Sequence, residues 1–486
     1  MTGQAAAAAA AVNAGTDFDC SISVGKGFAA LLNATAEGLV SEASVRRAGG
    51  RVLRLQLQLG FFDPPDMVPW SGVPLSVVNS AAHRGLAAVA AREGVVLLRN
   101  AARVLPLDAA TLSSRGAGSV LVTGPLATAF LTGNYNTQTD VNVTVLAGIS
   151  GYLGAAAPAF APGCATVLSN DTSGFVLAVA AAKAAAVTVA VVGLDGSVEY
   201  EDSTRDSLAL PGVQDALLLA LAATGTPLVI VLIGGSSVAP SQEAIAAAGA
   251  IVWAGYGGEE AGTALADVLF GAYNPAGRMP FTTFANVSDL PPYANMSMVG
   301  EPWGRTYRYY KGPAPVFRFG EGSSYSAMTT SNVSVTVIAS NIVSRLGHGV
   351  PSQSFSVCDS LHVTAIISNL GPMDGDETTQ VYVRLRNVSS SLLPAPVLGL
   401  AAYSRASLVA DAQGTPVAFV LPPRAFALVD GAARAWIVGP ALVGVYVGSS
   451  QPTSESDWYG VQAVELPMVG QPTLLAHCAA PLTSNW

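Results

Sequence analysis

Short apolar runs that recur between helix-like segments constrain this fold more than any other feature. Residues 119–123, 187–192, 228–233 and 251–253 are rich in Val, Ile and Leu and carry no charge. Helical patterns fill the intervals at 177–186, 213–223, 242–248 and 259–270. A strand without polar alternation is buried on both faces, and strands that alternate with helices are joined by crossovers. The pattern therefore predicts a mostly parallel sheet with helices on both sides.

The second of these runs breaks at Gly193 and opens into a loop crowded with carboxylates: Asp195, Glu199, Glu201, Asp202 and Asp206, with Arg205 as the nearby cation. Charged residues are only 11% of the chain, so this concentration at a strand end, where ligand sites form in open α/β sheets, marks a candidate site. Adjacent carboxylates disfavour one another's charge and so favour a protonated acid among them. A solvated acidic loop is the competing explanation.

At 486 residues the chain exceeds one ordinary core and predicts two or three domains. A net charge of −9 argues against nucleic acid and anionic membranes as partners. The glycine-rich turns at 232–237 and 257–262 lack a phosphate-cradling pattern. Cys20, Cys164, Cys358 and Cys478 are scattered without a CxxC pair, which excludes a zinc ribbon, and no metal or cofactor is expected. Asn-x-Ser/Thr sequons at Asn33, Asn142, Asn170, Asn286, Asn295, Asn332 and Asn387 point to a secreted glycoprotein. The amino terminus has no basic n-region and does not resemble a signal peptide. The most apolar window, 216–233, is interrupted by Thr224-Gly225-Thr226-Pro227 and reads as helix, turn and strand, so no membrane span is expected.

Upstream, an alanine-rich helix (4–13) leads into a short strand (14–20). Amphipathic patterns follow at 27–36 and 41–59, with Ser41 as an N-cap and Gly60 as a stop. Beyond residue 325 the period changes. Runs at 361–368, 378–385, 416–421 and 442–448, separated by Gly, Pro and Asp turns, predict an all-β sandwich.

Four long stretches, in order along the chain, resemble successive signatures of glycoside hydrolase family 3, in its β-xylosidase and α-arabinofuranosidase branch. They are AREGVVLLRNAARVLPL (91–107), VGLDGSVEYEDSTR (192–205), AGYGGEEAGTALADVLFGAYNPAGRMP (254–280) and GRTYRYYKGPAPVFRFGEGSSY (304–325). The resemblance implies an α/β plus all-β chain with these parts: the end of a (β/α)8 barrel (1–65), a linker (66–90), an α/β sandwich (91–285), a connector (286–326), a fibronectin type III-like domain (327–465) and a tail (466–486). It also implies retaining hydrolysis of terminal β-xylosyl or α-arabinofuranosyl groups outside the cell. Such chemistry pairs an Asp nucleophile on the barrel with a Glu acid/base on the sandwich, their carboxyls about 5–5.5 Å apart.

Carried over position by position onto Glu199-Tyr200-Glu201-Asp202-Ser203-Thr204-Arg205, the branch's Glu-x-Glu-Gly-x-Asp-Arg pattern makes Glu201 the acid/base and Arg205 the loop arginine. Gly133-Asn134-Tyr135 resembles the aromatic lip of the family's active site, so Tyr135, Glu199 and Arg205 are expected to meet a xylo- or arabino-oligosaccharide. Two positions depart from the pattern. Asp202 replaces a glycine, which is expected to alter the loop path, and Thr204 replaces an aspartate, which is expected to leave Arg205 without its usual partner. The segment 14–20 resembles the last barrel strand, and the nucleophile's Ser-Asp motif belongs upstream of it. These residues are therefore expected to supply one carboxylate of the pair and to be nearly inactive alone. A non-catalytic carbohydrate-binding protein of the same descent is the rival reading, and a longer protein of which this is the carboxyl-terminal part is a third. Oligomeric state is left open.

Overall fold

The computed structural model describes residues 3–20, 27–136, 139–338, 354–389, 392, 394–431, 434–454, 456–457 and 462–478. They fall into two compact units, Met1–His83 and Arg84–Trp486. Among them no helix is long and apolar enough to cross a membrane.

The first unit is helical: α1 (Gln4–Ala14), α2 (Leu31–Ala36) and α3 (Glu42–Gln58). Ser41 caps α3, its hydroxyl accepting the Ser44 N–H at 3.1 Å. The core is small, built from Ala9, Val12, Ala34, Val40 and Ala48. Leu53, Leu57, Phe61, Phe62 and Trp70 are exposed. The strand expected at 14–20 does not form. Gly15 ends α1 in the left-handed conformation and residues 16–20 are irregular, because a lone strand has no neighbour to take its backbone hydrogen bonds.

The second unit begins within α4 (Ala81–Gly94), which leads into β1 (Val96–Arg99). There follow α5 (Ala109–Ser114), β2 (Val120–Thr123), α6 (Val145–Leu153), β3 (Ala159–Ala161), α7 (Phe175–Ala184) and β4 (Val187–Gly193). The domain closes with α8 (Gln214–Ala222), β5 (Leu228–Ile233), α9 (Gln242–Ala247), β6 (Ala250–Trp253) and α10 (Ala261–Leu269). The strands lie in the order β1-β6-β5-β4-β2-β3. All neighbours are parallel except β1, which pairs antiparallel with β6 at the edge.

Side-chain alternation divides the core between the two faces of this sheet. Val187, Val189, Val191, Val229, Val231 and Ile233 pack towards α6 and α10. Ala190, Val192, Leu228, Ile230 and Leu232 pack towards α7 and α8. Burying both faces is what a strand without polar positions requires.

The stretch expected to be a connector is folded onto this domain. Thr283 bridges Phe317, Ser323 bridges Leu97 on β1, and the Tyr325 hydroxyl donates to the Val268 carbonyl at 2.8 Å.

A β-sandwich follows, made of β7 (Met328–Ile338), β8 (Phe355–Ser356), β9 (Ser360–Asn369), β10 (Gly375–Arg386), β11 (Gly399–Leu408), β12 (Thr415–Leu421), β13 (Leu428–Asp430), β14 (Ala435–Val438), β15 (Ala441–Gly448), β16 (Ala463–Val469) and β17 (Thr473–Leu474). A five-stranded sheet, β11-β10-β15-β16-β8, faces the three-stranded β12-β9-β7, and β13-β14-β17 form a small third sheet. On β9 alternate residues are buried, with Leu361, Val363, Ala365 and Ile367 entering the shared core. Of the segment expected to be a tail (466–486), residues 466–478 are integral to the sandwich: β16 pairs with β15, β17 with β14, and Cys478 forms a disulfide with Cys358; residues 479–486 lie outside the described residues.

The α/β domain and the sandwich meet through buried polar contacts. Arg278, just past the α/β core, reaches Glu377 on β10 at 3.1 Å. It also donates to the carbonyls of Ser449, Ala276 and Gly277 at 2.8, 3.1 and 3.0 Å. Gln380 donates to the Gly320 carbonyl at 3.0 Å, and Thr378 donates to the Ala276 carbonyl at 3.1 Å.

Candidate active site

Strand order locates the crevice. From β2 the chain steps outward to β3, whereas from β4 it steps the other way to β5 and β6. The carboxyl ends of β2 and β4 thus flank a topological switch point, where the connecting segments part and leave room for a ligand. The loop after β2 carries Tyr135, and the loop after β4 carries the acidic run.

Two glycines let these loops leave the sheet. A Cβ at Gly193, φ +138°, would lie 1.9 Å from the Ile233 carbonyl oxygen, and one at Gly124, φ +98°, would lie 2.2 Å from that of Val191. A side chain at either position is sterically excluded. The fully buried Gln214 completes the exit: its amide accepts from the Gly193 N–H at 2.8 Å and donates to the Gly193 carbonyl at 2.9 Å.

Asp195 starts the acidic loop as a turn, its backbone carbonyl accepting from the N–H groups of Val198 and Glu199 at 3.0 and 2.9 Å. Asp202 then takes φ +66°. This is the left-handed region that a glycine enters freely and that aspartate tolerates better than most residues. At this position, where the loop path is expected to alter, the aspartate takes a conformation that glycine favours. Glu201, immediately before it, is exposed.

Glu199, expected to face substrate, has Oε2 occupied by protein donors, the Gly235 N–H at 2.8 Å and the Tyr256 hydroxyl at 2.7 Å. Burial pushes its carboxyl up. The Ser236 and Tyr256 hydroxyls, the Gly235 N–H and the Arg205 charge outweigh that and hold it below the usual glutamate range. Arg205 donates through Nη2 to the Ser236 hydroxyl at 3.0 Å and to the Ser237 carbonyl. Glu199 is the charge that supports it in place of an acid at position 204. Its Nη1 is buried and has no partner.

Tyr135, with φ +56°, stands 82% exposed at the lip. The structure therefore brings Glu199 and Arg205 into one network, presents Glu201 to solvent two residues away, and leaves Tyr135 free on the neighbouring loop. Sequence reasoning missed Tyr256 and Ser236, which close that network. The signal available was the Gly255-Tyr256-Gly257-Gly258 run directly after β6. Burial and the adjoining Glu199 push the Tyr256 phenol up, so it remains a donor.

Glu199 is thus held within the network, and Glu201 stands exposed at the rim. Residues 95–325 match the model of the glycosyl hydrolase family 3 C-terminal domain, and residues 377–451 match that of the fibronectin type III-like domain. The chain is 37% identical over 404 residues to beta-D-xylosidase 1 of Arabidopsis thaliana, covering 77% of this chain and 50% of that relative. It is 32% identical over 430 residues to beta-xylosidase/alpha-L-arabinofuranosidase 1 of Medicago sativa subsp. varia, covering 84% and 53%. A solved family 3 exo-beta-xylosidase in complex with a xylobiose aziridine probe superposes with TM-score 0.78 at 26% identity, covering 99% of this chain and 60% of that one. The chain spans about half the length of the curated relatives it matches.

Proposed function

The chain belongs to glycosyl hydrolase family 3, and from that premise we propose that it acts in retaining hydrolysis of terminal β-xylosyl or α-arabinofuranosyl groups, with Glu201 as the acid/base. The observation that carries this reading is the acidic loop after β4, fixed at the switch point by Glu199 and Arg205 with Glu201 exposed beside it.

In the first step an Asp nucleophile forms a bond to the anomeric carbon while Glu201 gives its proton to the leaving glycosidic oxygen. In the second step Glu201 takes a proton from water as that water displaces the Asp. The chain matches about half the length of its curated relatives, and the nucleophile belongs to the half it does not match. Tyr135 stacks on the sugar face, and Arg205 holds the loop beneath it through Ser236 and Ser237. Secretion is supported by the Cys358–Cys478 disulfide and by the exposure of all the sequon asparagines.

The test is an assay on aryl β-xyloside and aryl α-arabinofuranoside, of the chain alone and of the chain joined to the barrel half of its Arabidopsis relative. We expect negligible turnover by the chain alone. The joined protein should turn over, and Glu201→Gln should lower its rate about 10²–10⁴-fold on poor leaving groups. Turnover that Glu201→Gln leaves unchanged sinks the assignment, and oligosaccharide binding that never yields turnover in the joined protein favours the binding-protein reading.

A further inference from the structure

Tyr256 follows β6, yet its ring occupies space between three other loops. A Cβ at Gly133, on the lip after β2, would come 3.2 Å from Tyr256 Cδ2. A Cβ at Gly235, on the turn after β5, would come 3.3 Å from Tyr256 Cε2. The phenol donates to Glu199, on the loop after β4, at 2.7 Å. Gly235 is thus both a face on which the ring packs and a donor to the same carboxylate oxygen.

We propose that Tyr256 is a positioning residue that fixes the acidic loop and the Tyr135 lip relative to one another, and so sets where Glu201 is presented. The proposal rests on Glu201 being the acid/base. Glu199 is the point of attachment. A chain extends at most about 3.6 Å per residue, so pinning Glu199 confines the Cα of Glu201 to within about 7 Å of it. Without the pin, the loop that leaves the sheet at Gly193 is free to carry Glu201 out of range of a partner carboxylate. Retention tolerates little slack in that separation, because displacements near 1 Å already cost much of the rate. The phenol suits the task because it stays neutral and donates to an ionised acceptor, the stronger kind of hydrogen bond. Through the Gly133 contact the same ring senses the lip, so the aromatic residue that would meet the sugar and the acid that would protonate it share one support.

Amide hydrogen exchange on the full chain tests this without turnover. Tyr256→Phe keeps the ring and removes the donor. We expect exchange in 195–206 to rise roughly 10- to 100-fold, as for loss of one hydrogen bond to a charged group, while 124–136 is unchanged. The Glu199 carboxyl, followed by carbon NMR, should titrate at higher pH in that variant. Gly133→Ala crowds the ring from the lip side and should speed exchange in 195–206, a loop it does not touch. Unchanged exchange and titration in Tyr256→Phe, or faster exchange spread over the whole α/β domain, overturns the proposal. Failure of the acid/base reading would appear separately, in the Glu201→Gln assay.

Discussion

Replacing Glu377 with alanine should do more damage than any rim substitution, because it strands a buried charge between two domains. The Arg278 and Glu377 side chains are 8% and 1% exposed and 3.1 Å apart. Arg278 keeps three backbone carbonyls in the variant but loses its counter-charge, a change that costs about 3–5 kcal/mol for a buried pair. Burial pushes the Glu377 carboxyl up and Arg278 pulls only part of it back, so its folded pKa stays above 4.5. A raised folded value means that this group's contribution is fully present below the unfolded pKa and is lost as pH rises through the folded one. The wild type should therefore lose some stability on going from pH 4 towards neutrality, and Glu377→Ala should lack that dependence. Denaturant unfolding at pH 7 and at pH 4, with calorimetry to show whether the α/β domain and the sandwich now melt apart, measures both effects. Arg278→Met combined with Glu377→Leu should recover most of the loss. A cost under about 1 kcal/mol, the value of an exposed pair, would refute the reasoning.

Gly193→Ala places a methyl 1.9 Å from the Ile233 carbonyl at φ +138°; we expect a loss of about 3 kcal/mol or more, read from the denaturant midpoint. The sequon asparagines Asn33, Asn142, Asn170, Asn286, Asn295, Asn332 and Asn387 are all exposed, so secretory expression should yield a protein whose mobility shifts on endoglycosidase treatment, with the occupied sites mapped by mass spectrometry.

The parallel sheet was legible because its strands are apolar on both faces: 228–233 matches β5 at both ends, and 187–192 falls one residue short of β4. Several short strands of two to four residues went unread, and among the longer ones so did β7, β11 and β16, where most residues are only half-buried. That is also why 466–486 looked like a tail. Of β16 only Met468 is buried, so its membership of the sheet is written in backbone pairing to β15 and not in side chains. At the site, the acid cluster was visible and the family pattern told Glu199 from Glu201, but the network that occupies Glu199 was not legible. It forms only when Gly235 and Tyr256 arrive from other strands. Tyr256 escaped notice because its meaning lies in glycines more than a hundred residues upstream and some twenty residues away, at Gly133 and Gly235.

The bond between Cys358 and Cys478, 120 positions apart, turns most of the sandwich into a covalent ring. A protease that cuts any loop from β9 through β17 opens the ring without releasing a fragment, and the nicked domain keeps both edges of its break tethered for re-docking. Reduction removes that tether and, by loop-closure entropy, about 5 kcal/mol of constraint on the unfolded chain. Digests should therefore look intact on non-reducing gels and fall apart on reducing ones, so a clip in this domain ends the protein only where thiols are plentiful.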